Sequence, residues 1–216
     1  SKGDHARDYA RRRGSLLVRN ATSRLSPYLA HGALSPRMVF RELKAYETER
    51  IKNRSTRELT EELYQREFFH LVALARGDEL YQAGGINHSD LEWADDPDLY
   101  ARWTNGMTGW PFVDAAMREL AATGYMTNVA RQNAACFLAR DLEIDWRLGA
   151  TYFERQLVDH EPCTNMGNWQ RTAGVSPHAL AHRFSIRRQA MRHDKDGSYT
   201  RRWLPELGDL PTATIH

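Results

Sequence analysis

The sequence GYMTNVARQNAACFLARDLEIDWRLGATYFERQLVDHEPCTNMGNW, residues 124–169, contains most of the unusual residues of this chain and decides its fold. Its apolar residues between positions 127 and 142 follow helical rather than alternating spacing. Thr127 has the side chain that a helix N-cap requires. The pattern therefore predicts a helix that is mostly buried.

This helix carries Asn128 and Arg131 on one face of its first turn, and burial would penalise both unless each met a partner. A second helix is predicted from Thr151, capped by a T-x-x-E box with Glu154, to about Asp159. Because buried charges persist only in pairs, we expect Arg131 and Asp159 to form a salt bridge.

Residues 161–169, EPCTNMGNW, show neither a helical nor a strand period. They combine small and amide-bearing side chains with a tryptophan, a composition typical of loops that line ligands. We predict a ligand-lining loop at this position.

Helix-start signals recur through the remaining chain, at residues 35–36, 55–58, 96–97 and 111, and a basic helix is expected at 186–193. Strand-like alternation is nowhere sustained, and no internal repeat is present. The sequence predicts an all-α fold, with residues 1–8 disordered and residues 9–216 forming one helical domain.

Lys and Arg number 30 against 28 Asp and Glu, so the net charge of +2 is not by itself evidence for nucleic-acid binding. Basic residues do cluster at positions 11–24 and 183–202, which suits one anion-facing side, although solvated charged faces are commoner. The two cysteines indicate a reducing compartment. With no membrane-length apolar run and no signal peptide, we expect a soluble, cytoplasmic monomer without a metal site.

Seven segments of the chain resemble the FAD-binding domain of photolyases and cryptochromes, and that of DASH-type cryptochromes in particular. They are TSRLSPYLAHGALSPR (22–37), YQREFF (64–69), TGWPFVDAAMRELAATGYMTN (108–128), RQN (131–133), IDWRLG (144–149), DHEPCTNMGNW (159–169) and RRWLPEL (201–207). The resemblance implies a helical domain that binds FAD non-covalently. The α/β antenna domain that usually precedes it has no counterpart here, so no antenna chromophore is expected in this chain.

The resemblance also implies which residues contact FAD. The phosphate-side contacts would be Tyr9, Thr22, Ser23, Arg24, Leu25 and Ser26. The remaining contacts would be Arg66, Tyr125, Asn128, Arg131, Asp159, Glu161, Thr164, Asn165 and Trp169. From the residues alone, the serine and proline at 26–27 are simply a good helix opening, and Glu62 with Arg66 has the spacing of a surface ion pair.

The implied reactive set contains Glu62 on the substrate wall, Asn165 opposite flavin N5, and three tryptophans. Taken singly, a tryptophan is most often a core side chain. The family's electron-transfer chain corresponds to Trp169 beside the flavin, Trp146 next and Trp93 near the surface, which leaves Trp103, Trp110 and Trp203 as structural residues. An amide at position 165 carries no charge and favours a reduced flavin and photolyase-like chemistry.

The implied substrate contacts, Gln65, Gln132, Arg171 and His182, include departures from the repair enzymes. Gln65 and Arg171 replace aromatic residues that stack on a flipped pyrimidine dimer, and Val129 replaces an arginine that contacts DNA. Each lost stacking platform removes about 1–3 kcal/mol of base binding. We therefore expect weakened DNA binding, with single strands preferred.

Three functions remain open at this point. The first is a deoxyribodipyrimidine photo-lyase that repairs cyclobutane dimers, and Asn165 with the DASH-like motifs favours it. The second is a blue-light photoreceptor that acts through a separate antenna or signalling partner. The third is a helical domain that has lost flavin and binds nucleic acid by charge alone, which the retained flavin contacts disfavour.

Overall fold

The computed structural model describes residues 4–18, 21–180 and 183–216. These residues form helices joined by turns and loops, and their one strand-like pairing is an isolated parallel bridge between Ala94 and Ile144. The predicted all-α class is confirmed.

The α-helices in chain order are α1 His5–Arg12, α2 Ser26–Ala30, α3 Pro36–Glu49, α4 Arg54–Arg76, α5 Pro97–Thr104, α6 Pro111–Thr123, α7 Asn128–Cys136, α8 Trp146–Gln156, α9 Pro162–Ala173, α10 Ile186–His193, α11 Ser198–Trp203 and α12 Thr212–Ile215. Short 3-10 turns occupy Gly77–Tyr81, Gly85–Asn87 and Pro205–Leu207, and the π-helical segment Phe137–Asp141 continues α7.

Several helices begin where the sequence signals predict. Ser35 precedes α3, Asp96 accepts a hydrogen bond from Leu99 N at the start of α5, and Pro111 opens α6. Thr127 caps α7 by accepting from Ala130 N. A first-turn proline marks the starts of α3, α5 and α6, and a capping side chain marks those of α5 and α7.

Other boundaries differ from the expectations. Helix α1 begins at His5 with Asp4 as its cap, so the disorder expected for residues 1–8 does not extend over residues 4–8. Helix α4 begins at Arg54, because the capping box is formed by Asn53 and Thr56 rather than by residues 55–58.

The two largest errors lie in the 124–169 stretch. Helix α8 starts five residues earlier than Thr151, since Asp145 accepts from Arg147 N and provides the cap. Residues 162–169 belong to helix α9 and are not a loop. Glu161 accepts from the backbone N–H groups of Cys163 and Thr164, and Pro162 occupies the first turn, where its missing N–H costs nothing.

Helix α9 lies between α8 and α4, and two glycines permit its close approach to both. A Cβ at Gly149 of α8 would overlap the Trp169 ring, and a Cβ at Gly167 of α9 would overlap Phe69 of α4. Glycine has no Cβ, so the aromatic rings rest directly on backbone.

The core is built around three fully buried indoles. Trp103 donates to Ala134 O and Trp146 donates to Ala83 O, both at 3.0 Å. Trp169 is 2% exposed and packs edge-on against Trp103, with ring centroids 6.2 Å apart. In the part of the chain that the structure describes, no helix has the length and apolarity needed to cross a membrane.

We predict that Gly149→Ala destabilises the protein by about 1–3 kcal/mol, because overpacking against Trp169 outweighs the better helix propensity of alanine. Chemical denaturation measures the change. Gly14→Ala is the control, since a Cβ there would meet only the His193 ring at 3.4 Å. Equal stability of Gly149→Ala and the wild type would contradict the proposed close packing.

Candidate functional site

Two cavities adjoin each other on the α7–α9 side of the domain. The larger has a volume of about 670 Å³ and is bordered by α1, α2, α3 and α4. The smaller, of about 120 Å³, lies against α7, α8 and α9. Four residues border both cavities, so the two lie side by side: Arg131, Asp159, Glu161 and Thr164.

Most of the residues expected to bind cofactor, with Glu62 and Gln132 of the expected substrate side, divide between these cavities. The larger is lined by Tyr9, Thr22, Ser23, Leu25, Ser26, Glu62 and Arg66 in addition to the four shared residues. The smaller is lined by Asn128, Gln132, Asn165 and Trp169 in addition to the same four. Distant parts of the sequence thus converge on two adjoining cavities.

Arg131 and Asp159 form a salt bridge at the junction of the cavities, as the sequence predicts. Arg131 Nη2 lies 2.9 and 2.8 Å from the two Asp159 carboxylate oxygens, and Arg131 Nε donates to Met126 O at 2.9 Å. The Asp159 side chain is 1% exposed and that of Arg131 is 24% exposed. A buried carboxylate held in this way fixes the guanidinium in one orientation beside the cavity.

Arg24 and Tyr125 lie behind the cavity wall. The Arg24 guanidinium carbon is 5.3 Å from the Tyr125 ring centroid, and the Arg131 guanidinium carbon is 5.4 Å from it. Thr22 Oγ1 lies 3.3 Å from the Tyr125 hydroxyl. This arrangement joins the 22–26 segment to α7 through cation–π and hydroxyl contacts.

Tyr9 and Glu62 contact each other. The Tyr9 hydroxyl lies 2.7 Å from both Glu62 carboxylate oxygens, and Arg13 Nη1 lies 2.9 Å from Glu62. Burial raises the pKa of Glu62, and the Tyr9 hydrogen bond offsets part of that rise. Burial and the nearby Glu62 charge raise the pKa of Tyr9, which keeps its hydroxyl protonated.

The ion pair expected from the spacing of Glu62 and Arg66 does not form. Glu62 pairs with Arg13, and Arg66 Nη1 lies 2.7 Å from Glu67. Glu62 and Arg66 therefore both face the larger cavity instead of bridging along the helix surface.

Asn165 borders the smaller cavity with its amide orientation set by the fold. Its Nδ2 donates to Ala150 O at 3.0 Å, so Oδ1 is left to accept a hydrogen bond.

Glu161 lies one turn before Asn165, and two opposing effects act on the pKa of its carboxyl group. Burial alone would raise the pKa of Glu161, but the Thr164 and Cys163 N–H groups hold it below its usual value.

The three tryptophans of the expected chain occupy separate positions. Trp169 borders the smaller cavity, and Trp146 lies at the start of α8. The Ala94–Ile144 bridge brings the segment that contains Trp93 next to the residues just before α8. Among the described residues, Trp169 Nε1 has no hydrogen-bond partner. Trp103, which the sequence assigns to structure, contacts Trp169 and lies 5.5 Å from the Tyr152 ring.

The expected substrate contacts are not gathered in one place. Gln132 lines the smaller cavity, whereas Gln65 and Arg171 line a third cavity of about 360 Å³ that shares no lining residue with the other two. Phe68 and His178, 5.4 Å apart in an edge-to-face pair, add ring surface to this third cavity. His182 lies outside the described residues.

Sequence reasoning missed the apolar wall of the larger cavity. Val39, Leu43 and Tyr46 form a helical stripe that predicts core packing, and they line the cavity together with Met38 and Leu63. The same periodicity fits a helix that packs on protein and a helix that packs on a ligand. The aromatic pair Phe68 and His178 was missed as well, since nothing in the sequence connects the two positions.

The fold and this double cavity define a helical domain that can enclose an extended, anionic cofactor. Residues 59–216 match the family described as the FAD binding domain of DNA photolyase, and the chain belongs to that family. Cryptochrome DASH of Synechocystis is 45% identical over 99% of this chain, and that of Natronomonas pharaonis is 46% identical over 100%. The aligned region is 44% and 45% of those relatives, so this chain spans a little under half of their length.

Solved structures give the same result. The chain is similar to the crystal structure of a Synechocystis cryptochrome, with a TM-score of 0.96 and 45% identity, covering 99% of this chain and 44% of that one. A bacterial class III photolyase from Agrobacterium tumefaciens gives a TM-score of 0.91 at 35% identity, covering 98% of this chain and 44% of that one. The expected family and fold are therefore confirmed.

The cavity residues fit FAD on three structural grounds. The two cavities adjoin at four shared residues, hydroxyl groups of Thr22, Ser23 and Ser26 border one of them, and apolar side chains cover much of the wall. Such a mixture of apolar wall and a few polar groups is typical of cofactor sites.

We predict that Asp159→Asn lowers the free energy of unfolding by about 3 kcal/mol, the low end of the range for a broken buried pair, because Arg131 is 24% exposed. Chemical denaturation measures the change. The control is Glu206→Gln, which breaks the exposed pair with Arg118 and is expected to leave the midpoint unchanged. Equal small effects of both variants would show that the Arg131–Asp159 pair does not hold the junction.

Proposed function

We propose that this chain is the catalytic FAD-binding domain of a light-driven photolyase that repairs cyclobutane pyrimidine dimers, with single-stranded DNA as its better substrate. The observation that carries the proposal is Asn165, a neutral acceptor fixed at the smaller cavity by its bond to Ala150 O. A carboxylate at this place would oppose added electron density on a neighbouring ring, whereas an amide does not.

FAD would be held non-covalently across both cavities. Thr22, Ser23 and Ser26 would offer hydroxyl donors to its phosphates, and Arg131 with Asp159 would lie beside its ring system. The Tyr9 hydroxyl already donates to Glu62, so a phosphate contact by Tyr9 would require a change of partner. In its reduced form FAD would supply light-driven one-electron donation, the chemistry that cleaves the two carbon–carbon bonds joining the pyrimidines of a dimer without net oxidation or reduction.

The protein residues in this scheme orient groups and exclude water. Arg131, with its charge balanced by Asp159, favours negative charge at the junction of the cavities. Asn165 Oδ1 accepts a hydrogen bond without taking or releasing a proton. Glu62, whose pKa is raised by burial, lines the larger cavity and Gln132 the smaller, and both would contact a substrate there.

Trp169, Trp146 and Trp93 would carry an electron inward to restore the reduced cofactor. Trp169 borders the smaller cavity, and the hydrogen bond from Trp146 Nε1 to Ala83 O favours a positive charge on that indole. With a second indole behind the first, the positive charge can move away from the cofactor before the electron returns to it. Transfer to the outside would be completed at Trp93, which is partly buried against the core.

Gln65 and Arg171 limit substrate binding in this proposal. They offer polar surface at the third cavity where stacking rings would bind a flipped base. Phe68 and His178 supply aromatic surface at the same cavity, which supports some remaining affinity for an extended strand. We propose a cytoplasmic location for the protein.

The second candidate function is a blue-light photoreceptor with little repair activity. The observation that favours it is that Gln65 and Arg171 lie at a cavity separate from that of Asn165 and Trp169. In this case the same tryptophans reduce the cofactor, and a signalling partner responds to the redox state.

We predict that Trp169→Phe retains FAD but slows its blue-light reduction, in the presence of an external reductant, by about tenfold or more, because phenylalanine is harder to oxidise than tryptophan. Flavin absorbance under illumination gives the rate. Trp110→Phe is the matched control: Trp110 is 46% exposed, packs on Phe137 and is expected to leave the rate unchanged. Unchanged photoreduction in Trp169→Phe would assign the electron to another route, such as Tyr125 or Tyr152.

We predict light-dependent repair of cyclobutane dimers in single strands and little or none in duplexes. Flipping a base out of a duplex costs free energy that stacking contacts must recover, and Gln65 and Arg171 do not provide those contacts. Repair is measured with oligonucleotides carrying one dimer, at several salt concentrations. Binding is expected to fall steeply as salt rises, since backbone charge supplies most of it.

Gln65→Trp should increase affinity for the dimer if the substrate pocket is otherwise intact. Equal repair of single strands and duplexes would contradict the substrate preference. Repair of neither, with photoreduction intact, would favour the photoreceptor function over the photolyase.

A further inference from the structure

A cluster of His70, Glu161 and Cys163 lies where α4 meets the start of α9, outside the tryptophan chain and the third cavity. One donor atom from each side chain lies within 4.8 Å of the other two. His70 Nε2 is 3.3 Å from a Glu161 carboxylate oxygen. All three side chains are partly buried, so the cluster is shielded by the fold yet reachable from solvent.

The hydrogen bond at the other ring nitrogen of His70 fixes how the imidazole faces the cluster. His70 Nδ1 lies 2.8 Å from Arg66 O, and a carbonyl oxygen can only accept, so Nδ1 carries the hydrogen. In the neutral ring Nε2 then presents a lone pair towards Glu161. A second partner of this kind is the usual way in which proteins orient a metal-binding imidazole.

Two acceptors, His70 Nε2 and a Glu161 oxygen, thus face each other at 3.3 Å. Their contact becomes favourable if a cation lies between them or if the ring gains a proton. Ligands at about 2.0–2.1 Å from zinc with a tetrahedral angle between them lie about 3.3–3.4 Å apart. The observed separation therefore matches that of two zinc ligands.

We propose that His70, Glu161 and Cys163 bind a zinc-type divalent ion, with the fourth position left for water. The nitrogen, oxygen and sulfur donors suit zinc better than magnesium or calcium, which prefer oxygen alone. A carboxylate and a thiolate balance the charge of the ion. Arg66, the nearest guanidinium on the same helix, is paired with Glu67 at 2.7 Å.

The role of this ion is to join α4 to α9. Glu161 caps α9 and borders both cavities, so a metal that holds its carboxylate also fixes the start of the helix that carries Asn165 and Trp169. Each Glu161 oxygen accepts one backbone N–H, which leaves a lone pair on each for the metal. The test requires no light and no repair activity, so its outcome is independent of the function proposed above.

The purified protein is treated with a chelator, dialysed and titrated with zinc chloride in a calorimeter. One ion per chain is expected, and cobalt(II) in place of zinc should give the near-ultraviolet absorption of a thiolate–cobalt bond. His70→Ala and Cys163→Ser should each weaken zinc binding by about tenfold or more. His88→Asn is the matched control, because His88 lies 3.4 Å from Glu79 without a thiol nearby and has a positive φ that asparagine tolerates.

A measurement on the unaltered protein covers the case in which a variant fails to fold. Zinc should slow alkylation of Cys163 by iodoacetamide, followed by mass spectrometry of its peptide, while buried Cys136 serves as the internal reference. Absence of zinc binding, zinc binding that survives both variants, or alkylation of Cys163 that zinc does not slow would overturn the proposal.

Discussion

The Arg131–Asp159 salt bridge is the interaction on which the site depends. Asp159 is nearly inaccessible to water, and a buried carboxylate without a partner would be strongly unfavourable. The pair requires α7 and the segment before α9 to approach each other, and Arg131 Nε adds a bond to Met126 O. Because both residues border both cavities, the same contact that stabilises the fold also joins the two halves of the candidate cofactor site.

Helix α9 supplies the second constraint, because its opposite sides serve different cavities. Asn165 and Trp169 face the smaller cavity, whereas Gly167 and Arg171 face the third. The contacts of Gly149 with Trp169 and of Gly167 with Phe69 determine how closely α9 packs against α8 and α4. A shift of α9 would therefore alter the linings of the smaller and the third cavity together.

The sequence predicts the helical class, several helix starts and the Arg131–Asp159 contact, because caps and periodicity are local and buried charges need partners. It fails at residues 162–169, where an acidic N-cap before a proline outweighs the lack of an apolar period. Spacing along α4 alone would pair Glu62 with Arg66, whereas Glu62 pairs with Arg13 and Arg66 with Glu67. Such partners, like the cavity wall formed by Val39 and Leu43, depend on how distant helices pack, and spacing along one helix does not contain that information.

The most direct test of this account is the flavin content of the folded protein. The account predicts a yellow protein that releases one FAD per chain on denaturation, because Thr22, Ser26, Arg131 and Asp159 border adjoining cavities suited to that cofactor. The flavin content of Asp159→Asn should be lower. A well-folded, colourless protein that takes up no FAD on reconstitution would contradict the central claim.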